Sequence, residues 1–355
     1  MLLMNKHIPM NSINPSIAVV ILNWNGIALL KSILPKVIEY STESNVSIFV
    51  ADNASTDESV RFINSNFPTI KIIELDKNYG FAAGYNKALK QINTTHYLLL
   101  NSDAEPTENW LNPFFAAIIN YPKLGAAQPK IKDYYQRDKF EYAGAAGGFI
   151  DKYGYPFCRG RIFNNIEADF GQYNQSTEIF WASGAAILVK AEIFHNLGGL
   201  DESFFAHMEE IDLCWRINLA GFQIRYLPES TVYHMGGATL NQLNPRKTFL
   251  NFRNNLLMVK KNLPKNKRVK ILSIRLFLDA IAAIRLLASG KFQSFIAIIK
   301  AHWSFFFLSF KSSKQEKPIT TTKIENIYNK SIVLDYFILR KSKFNQLEFH
   351  PTNNL

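Results

Sequence analysis

From residue 17 to about residue 130 the chain alternates short apolar runs with stretches of helical spacing. Ile17–Asn23 is a continuous β-branched and apolar run, bounded by Pro15 and by Asn25-Gly26. Such a run predicts a strand buried on both faces. Ile27–Tyr40 follows with Leu30, Leu34 and Val37 on one side, and Pro35 inside that pattern marks a kink or a division. Val46–Asp52 predicts a second strand, then a helix capped by Ser55 or Asp57 and running through Phe62 and Ile63. Ile70–Leu75 predicts a third strand, Phe81–Ile92 a helix and Tyr97–Asn101 a fourth strand, and Pro106-Thr107 open a helix to Tyr121. Strands separated by helices of this length require right-handed crossovers, and therefore a parallel sheet.

The pattern then changes. Residues 132–178 are rich in Tyr, Gly and Arg without clean periodicity, and read as an irregular insert. Small residues at Ala182–Ala185 precede an apolar strand to Val189 and a helix to Leu197. A loop from Gly198 to Phe205 leads to a helix carrying Leu213, Trp215, Ile217 and Leu219, ended by Gly221. Strand Phe222–Leu227 comes next, then Tyr233-His234. Pro245–Leu263 predicts another helix, and Lys265–Phe310 interleaves apolar and basic residues at amphipathic spacing. From Ser312 onward the sequence is polar and mixed and predicts no element. The expected organisation is an α/β domain over 16–240, a basic amphipathic helical region over 241–311, and a tail over 312–355.

Polar residues gather where the strands end: Asn23 and Asn25, Asp52 and Asn53, Asn78, then Asn101 and Asp103. Successive parallel strands place these groups on one rim, where open α/β sheets bind ligands. Turn chemistry explains residues of these types as well, and for Asn25-Gly26 both readings stand. Leu98-Leu99-Leu100-Asn101-Ser102-Asp103 delivers a carboxylate into that crevice, a setting suited to Mg²⁺ or Mn²⁺ shared with phosphate oxygens. Asp52 comes too early to cap the following helix and is free to accept hydrogen bonds from a nucleobase. Gly80 and Gly84 frame a helix start of small residues, open to close approach of a phosphate. No G-x-G-x-x-G follows the first strand, which argues against a nicotinamide or flavin enzyme.

A second cluster comprises Glu209, Glu210 and Asp212 at a helix start. Acids there also favour the helix dipole, and for Asp212 this explanation stands beside a functional one. Paired Glu209-Glu210 behind Phe204-Phe205 suggests a carboxylate with a raised pKa, fit for general-base work. His234, at a strand end, reads as a metal ligand or as a satisfied core histidine.

Composition adds limits. Hydrophobic residues at 47% and aromatics at 14% supply a real core and exclude global disorder. Cys158 and Cys214 form neither a disulfide framework nor a metal-ligand spacing, consistent with a reducing compartment. Met1–Ser16 is too short and too polar for a signal peptide. The net charge of +11 is uneven: residues 241–355 hold 21 Lys and Arg against 5 Asp and Glu. No charge-free stretch there approaches the ~20 residues a spanning helix needs. Basic amphipathic helices with Trp303 and Phe305–Phe307 read instead as lying on an anionic membrane surface. The alternative is a helical subdomain packed on the core or on a second copy of the chain.

Five segments occur in order: Val19–Asn25, Asp52–Asp57, Asn78–Asn86, Asn101-Ser102-Asp103 and Glu209–Arg216. Over about residues 16–260 the chain resembles family-2 glycosyltransferases of the GT-A fold, especially the bacterial rhamnosyltransferase-like branch that builds surface polysaccharides. The resemblance implies a Rossmann-like, mostly parallel sheet flanked by helices. It also implies metal-dependent, inverting transfer from a UDP- or dTDP-linked sugar to a glycan or lipid-linked acceptor. In that light Glu210 matches the catalytic-base position, with Glu209 beside it on the acceptor side. Asp103 would be the last acid of a D-x-D-like motif, and His234 a further ligand to Mg²⁺ or Mn²⁺. Asn23, Asn25, Asp52, Asn78, Gly84, Asn86, Ser102 and Gly184 would line the nucleotide-sugar site, and the irregular insert would shape the acceptor pocket. Two departures stand out: the metal motif is reduced to Asn-Ser-Asp, and the base is Glu where Asp is commoner. The expected location is cytoplasmic, peripheral on the inner membrane face, with no nucleic acid as partner. A sugar-nucleotide pyrophosphorylase would want a Gly-rich basic loop after the first strand, which Asn23-Trp24-Asn25-Gly26 does not offer. A nucleic-acid-binding protein using the basic tail would leave the acidic strand ends without a purpose.

Overall fold

The computed structural model describes residues 14–236, 244–311 and 324–349. In chain order the first half contains β1 (Ile17–Asn23), α1 (Ile27–Glu39), β2 (Val46–Asp52), α2 (Ser59–Asn66), β3 (Lys71–Glu74), α3 (Gly80–Leu89) and β4 (His96–Asn101). β5 (Ala104–Pro106), α4 (Asn112–Asn120) and β6 (Leu124–Asp133) follow. Five short strands come next: β7 (Gly148–Asp151), β8 (Pro156–Cys158), β9 (Arg161–Ile162), β10 (Asn165–Ile166) and β11 (Thr177–Glu178). The remainder comprises β12 (Ala186–Lys190), α5 (Ala191–Asn196), α6 (Glu209–Leu219), β13 (Gln223–His234), α7 (Pro245–Asn262), α8 (Lys265–Ala288), α9 (Phe292–Lys311), β14 (Ile327–Tyr328) and α10 (Ile332–Phe337).

A nine-stranded sheet runs in the order β11-β13-β6-β12-β4-β1-β2-β3, with β5 beside β13. β4, β1, β2 and β3 are mutually parallel, as the strand–helix alternation predicts. β12 lies antiparallel to β4 and β6, which makes the whole sheet mixed. Alternate residues of one strand feed opposite layers. Ile17, Val19 and Ile21 join Leu30, Ile33, Leu34 and Val37 of α1 on one face. Ala18 and Val20 join Ala82 and Tyr85 of α3 on the other. Burial on both faces is why β1 reads as an unbroken apolar run. Pro35 sits inside α1 without ending it.

Three segments differ from the sequence reading. Pro106 and Thr107 do not open a helix. Ala104–Pro106 pairs with β13, Thr107 donates from N and Oγ1 to the Thr231 carbonyl, and α4 begins only at Asn112. The insert is more regular than its sequence shows, because β6 extends through Asp133 and a second sheet forms in the order β10-β9-β8-β7-β14. Its strands are two to four residues long, too short to display a period. Residues 324–349, which predicted nothing, fold back onto this sheet: β14 pairs with β7, and Phe344 and Phe349 close on Phe149 and Phe157. Residues 312–323 of the expected tail lie outside the described residues. Helix α7, grouped with the appendage from sequence, buries Met258 and Val259 in the main core.

Phe149 is fully buried where the second sheet meets the returning chain. Phe149→Ala is expected to cost about 3–5 kcal/mol, the range for a large aromatic removed from a core. Urea denaturation measures it, and a loss below about 1 kcal/mol would show that this junction is not part of the cooperative core.

Candidate active site

Strand register builds the rim. Asn23 of β1 stands opposite Asp52 of β2, and Leu22 stands opposite Asn101 of β4. Asn23 Nδ2 donates to Asp52 Oδ1 at 2.9 Å, while Asp52 Oδ2 accepts from the Ser55 amide at 2.8 Å. Ser55 Oγ accepts from the Asn25 amide, and Asn25 Oδ1 accepts from the Thr56 amide at 2.7 Å. Ser55 is therefore a brace between turns rather than a helix cap. Asp57 caps twice, accepting from the Ser59 amide and from the amide of Ile27 at the start of α1. Asn53 Nδ2 donates to Asn78 Oδ1 at 3.0 Å, tying the β3–α3 turn to the same rim. Gly84 lets α3 settle on β1, since a Cβ there would stand 3.1 Å from Leu22 Cδ1. Asn23 Oδ1 is buried without a hydrogen-bond partner.

Asn86 does not face this rim. Its Nδ2 donates to the Leu200 carbonyl at 2.8 Å and its Oδ1 accepts from the Leu200 amide at 2.9 Å. It fixes the loop leading toward α6, so its contribution to the site is indirect.

Asp103 and His234 meet. β5 pairs with the end of β13, the Met235 amide donates to the Asp103 carbonyl, and His234 Nε2 lies 3.0 Å from Asp103 Oδ1. Asn101, where a D-x-D motif would carry its first acid, brings Nδ2 to 3.4 Å from the same imidazole nitrogen. On the far side of the ring, Glu141 Oε2 is 3.4 Å from Nδ1. Burial alone would lower the His234 pKa, but the two flanking carboxylates outweigh it and push it up to about 10. Glu141 comes from the insert and was not legible as a site residue. Ser102, half-exposed, lies between Asn101 and Asp103 on the same turn.

Glu209 and Glu210 begin α6. The preceding turn places Phe205, His207 and Met208 at φ of 65°, 69° and 75°, a left-handed region costly for such side chains. A buried clamp from α7 holds it: Asn254 Nδ2 donates to the carbonyls of Phe204, Ala206 and His207 at 2.8–2.9 Å. Arg253 donates to the Phe204 carbonyl at 3.1 Å. Asp212 is fully buried and engages Arg216, Lys261 and Asn262, while Arg216 also donates to the Leu197 and Gly199 carbonyls. Asp212 thus locks α6 to α7 and serves neither the site nor chiefly the helix dipole.

The two glutamates are desolvated. Burial holds the Glu210 carboxyl up at about 7. Burial, followed by the neighbouring charge of Glu210, raises Glu209 well above the ordinary carboxylate range. Each keeps a buried Oε2 without a hydrogen-bond partner. His207 also has an unpartnered buried Nε2, and burial with the nearby Lys247 charge lowers it to about 4.

Gly184 connects this cluster to the metal side. The Asn101 amide donates to the Ala185 carbonyl at 3.0 Å, and a Cβ on Gly184 would lie 3.8 Å from Glu210 Cβ. Gly184 thus stands between the end of β4, which leads to Asp103, and the Glu210 side chain. Among the described residues no three His, Cys, Asp or Glu side chains group to hold a metal. The protein offers two converging donors, Asp103 and His234, and a chelating phosphate would complete the shell. That donor set fits Mg²⁺ or Mn²⁺.

Known proteins match this arrangement. The chain is 25% identical over 215 residues to the N-acetylglucosaminyl-diphospho-decaprenol L-rhamnosyltransferase of Mycobacterium tuberculosis, a match covering 56% of this chain and 69% of that protein. Its fold is similar to that of GalNAc-T7, crystallised with UDP, GalNAc and Mn²⁺, with TM-score 0.54, 16% identity and coverage of 70% of this chain and 48% of that chain. It is also similar to the mannosyltransferase PcManGT from Pyrobaculum calidifontis, in complex with GDP-Man and Mn²⁺, with TM-score 0.51, 15% identity and coverage of 82% and 87%. The chain thus spans about half the length of GalNAc-T7. These neighbours identify a GT-A fold, and nothing in them supports a pyrophosphorylase or a nucleic-acid-binding protein. Residues 18–198 match the model of the family described as glycosyl transferase family 2, half of the chain, and on that match the chain belongs to this family of glycosyltransferase enzymes.

Proposed function

We propose that the protein transfers a sugar, with inversion, from a UDP- or dTDP-linked donor to a lipid-linked glycan acceptor in surface-polysaccharide synthesis. The observation that carries this reading is the desolvated Glu210 carboxylate, across Gly184 from the Asp103–His234 pair. Glu210 accepts the proton of the acceptor hydroxyl as that oxygen attacks the anomeric carbon. Its unpartnered Oε2 is the atom free to do so. Glu209, its carboxyl raised well above the ordinary range by burial and by the Glu210 charge, stands beside Glu210 on the acceptor side. Asp52, Asn53 and Asn78 present backbone and side-chain groups to the nucleoside, and the start of α3 receives phosphate oxygens. Asp103 and His234 would hold Mg²⁺ or Mn²⁺, which would supply Lewis-acid stabilisation of the diphosphate leaving group. The relative in Mycobacterium tuberculosis acts, by its name, on a diphospho-decaprenol carrier, which supports a lipid-linked acceptor here.

The helical region supports a peripheral membrane location. Among the described residues no helix is long and apolar enough to cross a membrane. α8 and α9 nonetheless expose Phe277, Ile284, Trp303 and Phe307, each more than 60% accessible. Leu276, Ala283, Ile298 and Phe306 help wall a groove of about 420 Å³ between these helices. Lys270, Lys291 and Lys300 are exposed on the same two helices and the turn joining them. Apolar surface bordered by lysines matches an anionic bilayer interface.

Three outcomes test this reading. Glu210→Gln should reduce transfer about 10²–10⁴-fold while leaving calorimetric UDP binding intact. Because Glu210 is protonated below about 7, kcat/KM should rise with pH through that value in the wild type; undiminished turnover in the variant would remove Glu210 as the base. A thermal-shift screen of nucleotide-sugars with Mn²⁺ should find a stabilising donor whose effect disappears in Asp103→Ala, and metal-independent stabilisation would contradict the metal role. Wild-type protein should co-sediment with phosphatidylglycerol vesicles, and the pair Trp303→Glu and Phe307→Glu should not. Equal sedimentation would reject α9 as the contact, and dimerisation through this face would instead appear as a concentration-dependent mass.

A further inference from the structure

Glu141 is a buried carboxylate, 5% exposed, delivered from the insert to a histidine that lies on the opposite side of a sheet junction. Its backbone amide donates to the Ile131 carbonyl, which anchors the residue beside the end of β6. Its Oε2 accepts from the amide of Ala143, so the carboxylate is oriented by its own turn. Ser183 Oγ donates to the Ala143 carbonyl, tying the same turn to the loop that carries Gly184. Across from this carboxylate, His234 Nδ1 is buried without a hydrogen-bond partner, and Glu141 Oε2 faces it at 3.4 Å. That separation is long for a finished N–H···O bond, and a small ring movement closes it.

Gly236 shows that the approach is built in. It lies two residues beyond His234 at φ +64°, and a Cβ on it would fall 2.9 Å from Glu141 Oε1. Only glycine gives the carboxylate its place beside the chain leaving β13.

We infer that Glu141 is a positioning residue that fixes the ring orientation and tautomer of His234, so that Nε2 is presented toward Asp103 for a divalent cation. This rests on the metal reading of Asp103 and His234 given above. A ligating histidine needs its other ring N–H donated to an acceptor, and a carboxylate in that role raises the basicity of the ligand nitrogen. The insert, which sequence reading assigned to the acceptor side, thereby reaches the donor side of the site as well.

The test is Mn²⁺ binding by the full chain, followed by electron paramagnetic resonance with Mn²⁺ alone and with UDP. Glu141→Leu is expected to weaken binding by about 10–100-fold, the range for a lost outer-shell partner, and His234→Ala, which removes the ligand itself, by at least as much. The double variant should lose little beyond either single one, because both remove the same interaction. Glu141→Gln should retain most of the affinity, since its amide oxygen still accepts from Nδ1–H. Gly236→Ala, which leaves the carboxylate chemically intact, should weaken binding by crowding it. The nitrogen coupling of a histidine-bound Mn²⁺ should be present in the wild type and lost in Glu141→Leu at equal melting temperature. Affinity in Glu141→Leu within twofold of wild type, or losses that add in full in the double variant, would overturn the inference. Absence of saturable Mn²⁺ binding by the wild type would instead overturn the metal reading of Asp103 and His234, and this inference with it.

Discussion

One buried amide holds the turn before α6 in place. Asn254, fully enclosed, spends both hydrogens of its Nδ2 on carbonyls of the turn from Phe204 to His207. Three residues of that turn occupy left-handed backbone, a conformation of order 1–3 kcal/mol each that persists only when its surroundings over-determine it. Without the clamp the turn relaxes, the start of α6 is released, and water reaches Glu209 and Glu210. The perturbed protonation of the pair follows from dryness, and dryness follows from the turn. Arg253 and Asn254 of α7 together shape the loop that leads to Glu209 and Glu210.

Charge inside the molecule follows the same logic. Asp212 is shared by Arg216, Lys261 and Asn262, and Asp279 by Arg275, His302 and Tyr155. Removing one partner of such a group leaves an uncompensated buried charge, whereas the complete set is tolerable. These networks fix how α6, α7 and α8 sit against one another rather than adding much net stability. Among the described residues Glu209 and Glu210 have no cationic partner of this kind, and each keeps a buried Oε2 that nothing there satisfies. Two adjacent carboxylates with unsatisfied buried oxygens suit a ligand that supplies the missing partners.

The parallel half of the sheet was legible because its strands are buried on both faces and its helices carry one apolar stripe. Asp103, Glu210 and His234 were legible as residue types at strand and helix ends; the β5–β13 register brings Asp103 and His234 together, whereas Glu210 is placed by the turn before α6. Pro106 misled because proline suits a helix start and equally a sheet edge; pairing with β13, 124 residues away at Thr107–Thr231, decided between them. Asn86, within α3, read from sequence as a ligand contact, and in the structure its side-chain amide binds the Leu200 backbone, 114 residues on. Glu141 carried no local signal at all. Strands of two to four residues have no period to read, so the insert's fold, and with it the approach of Glu141 to His234, exists only in three dimensions.

The basic excess of residues 241–355 also changes meaning once its partners are known. Much of it is already engaged: Arg253 binds loop carbonyls, Lys261 two aspartates, Arg275 Asp279, Lys330 Glu348 and Lys341 Asp335. A polycation built for a phosphate backbone would keep those charges outward and continuous, because affinity there grows with each phosphate neutralised. Here Arg275 is buried, and the exposed lysines of α8 and α9 stand beside exposed phenylalanine, isoleucine and tryptophan. Apolar groups gain nothing from a nucleic-acid groove lined by phosphates, but they gain roughly 25 cal/mol for each Å² buried in an acyl boundary. The pairing of the two surface types, rather than the net charge, is the feature that suits a lipid interface, and α8 and α9 pack beside α7, whose Asn254 holds the turn before α6.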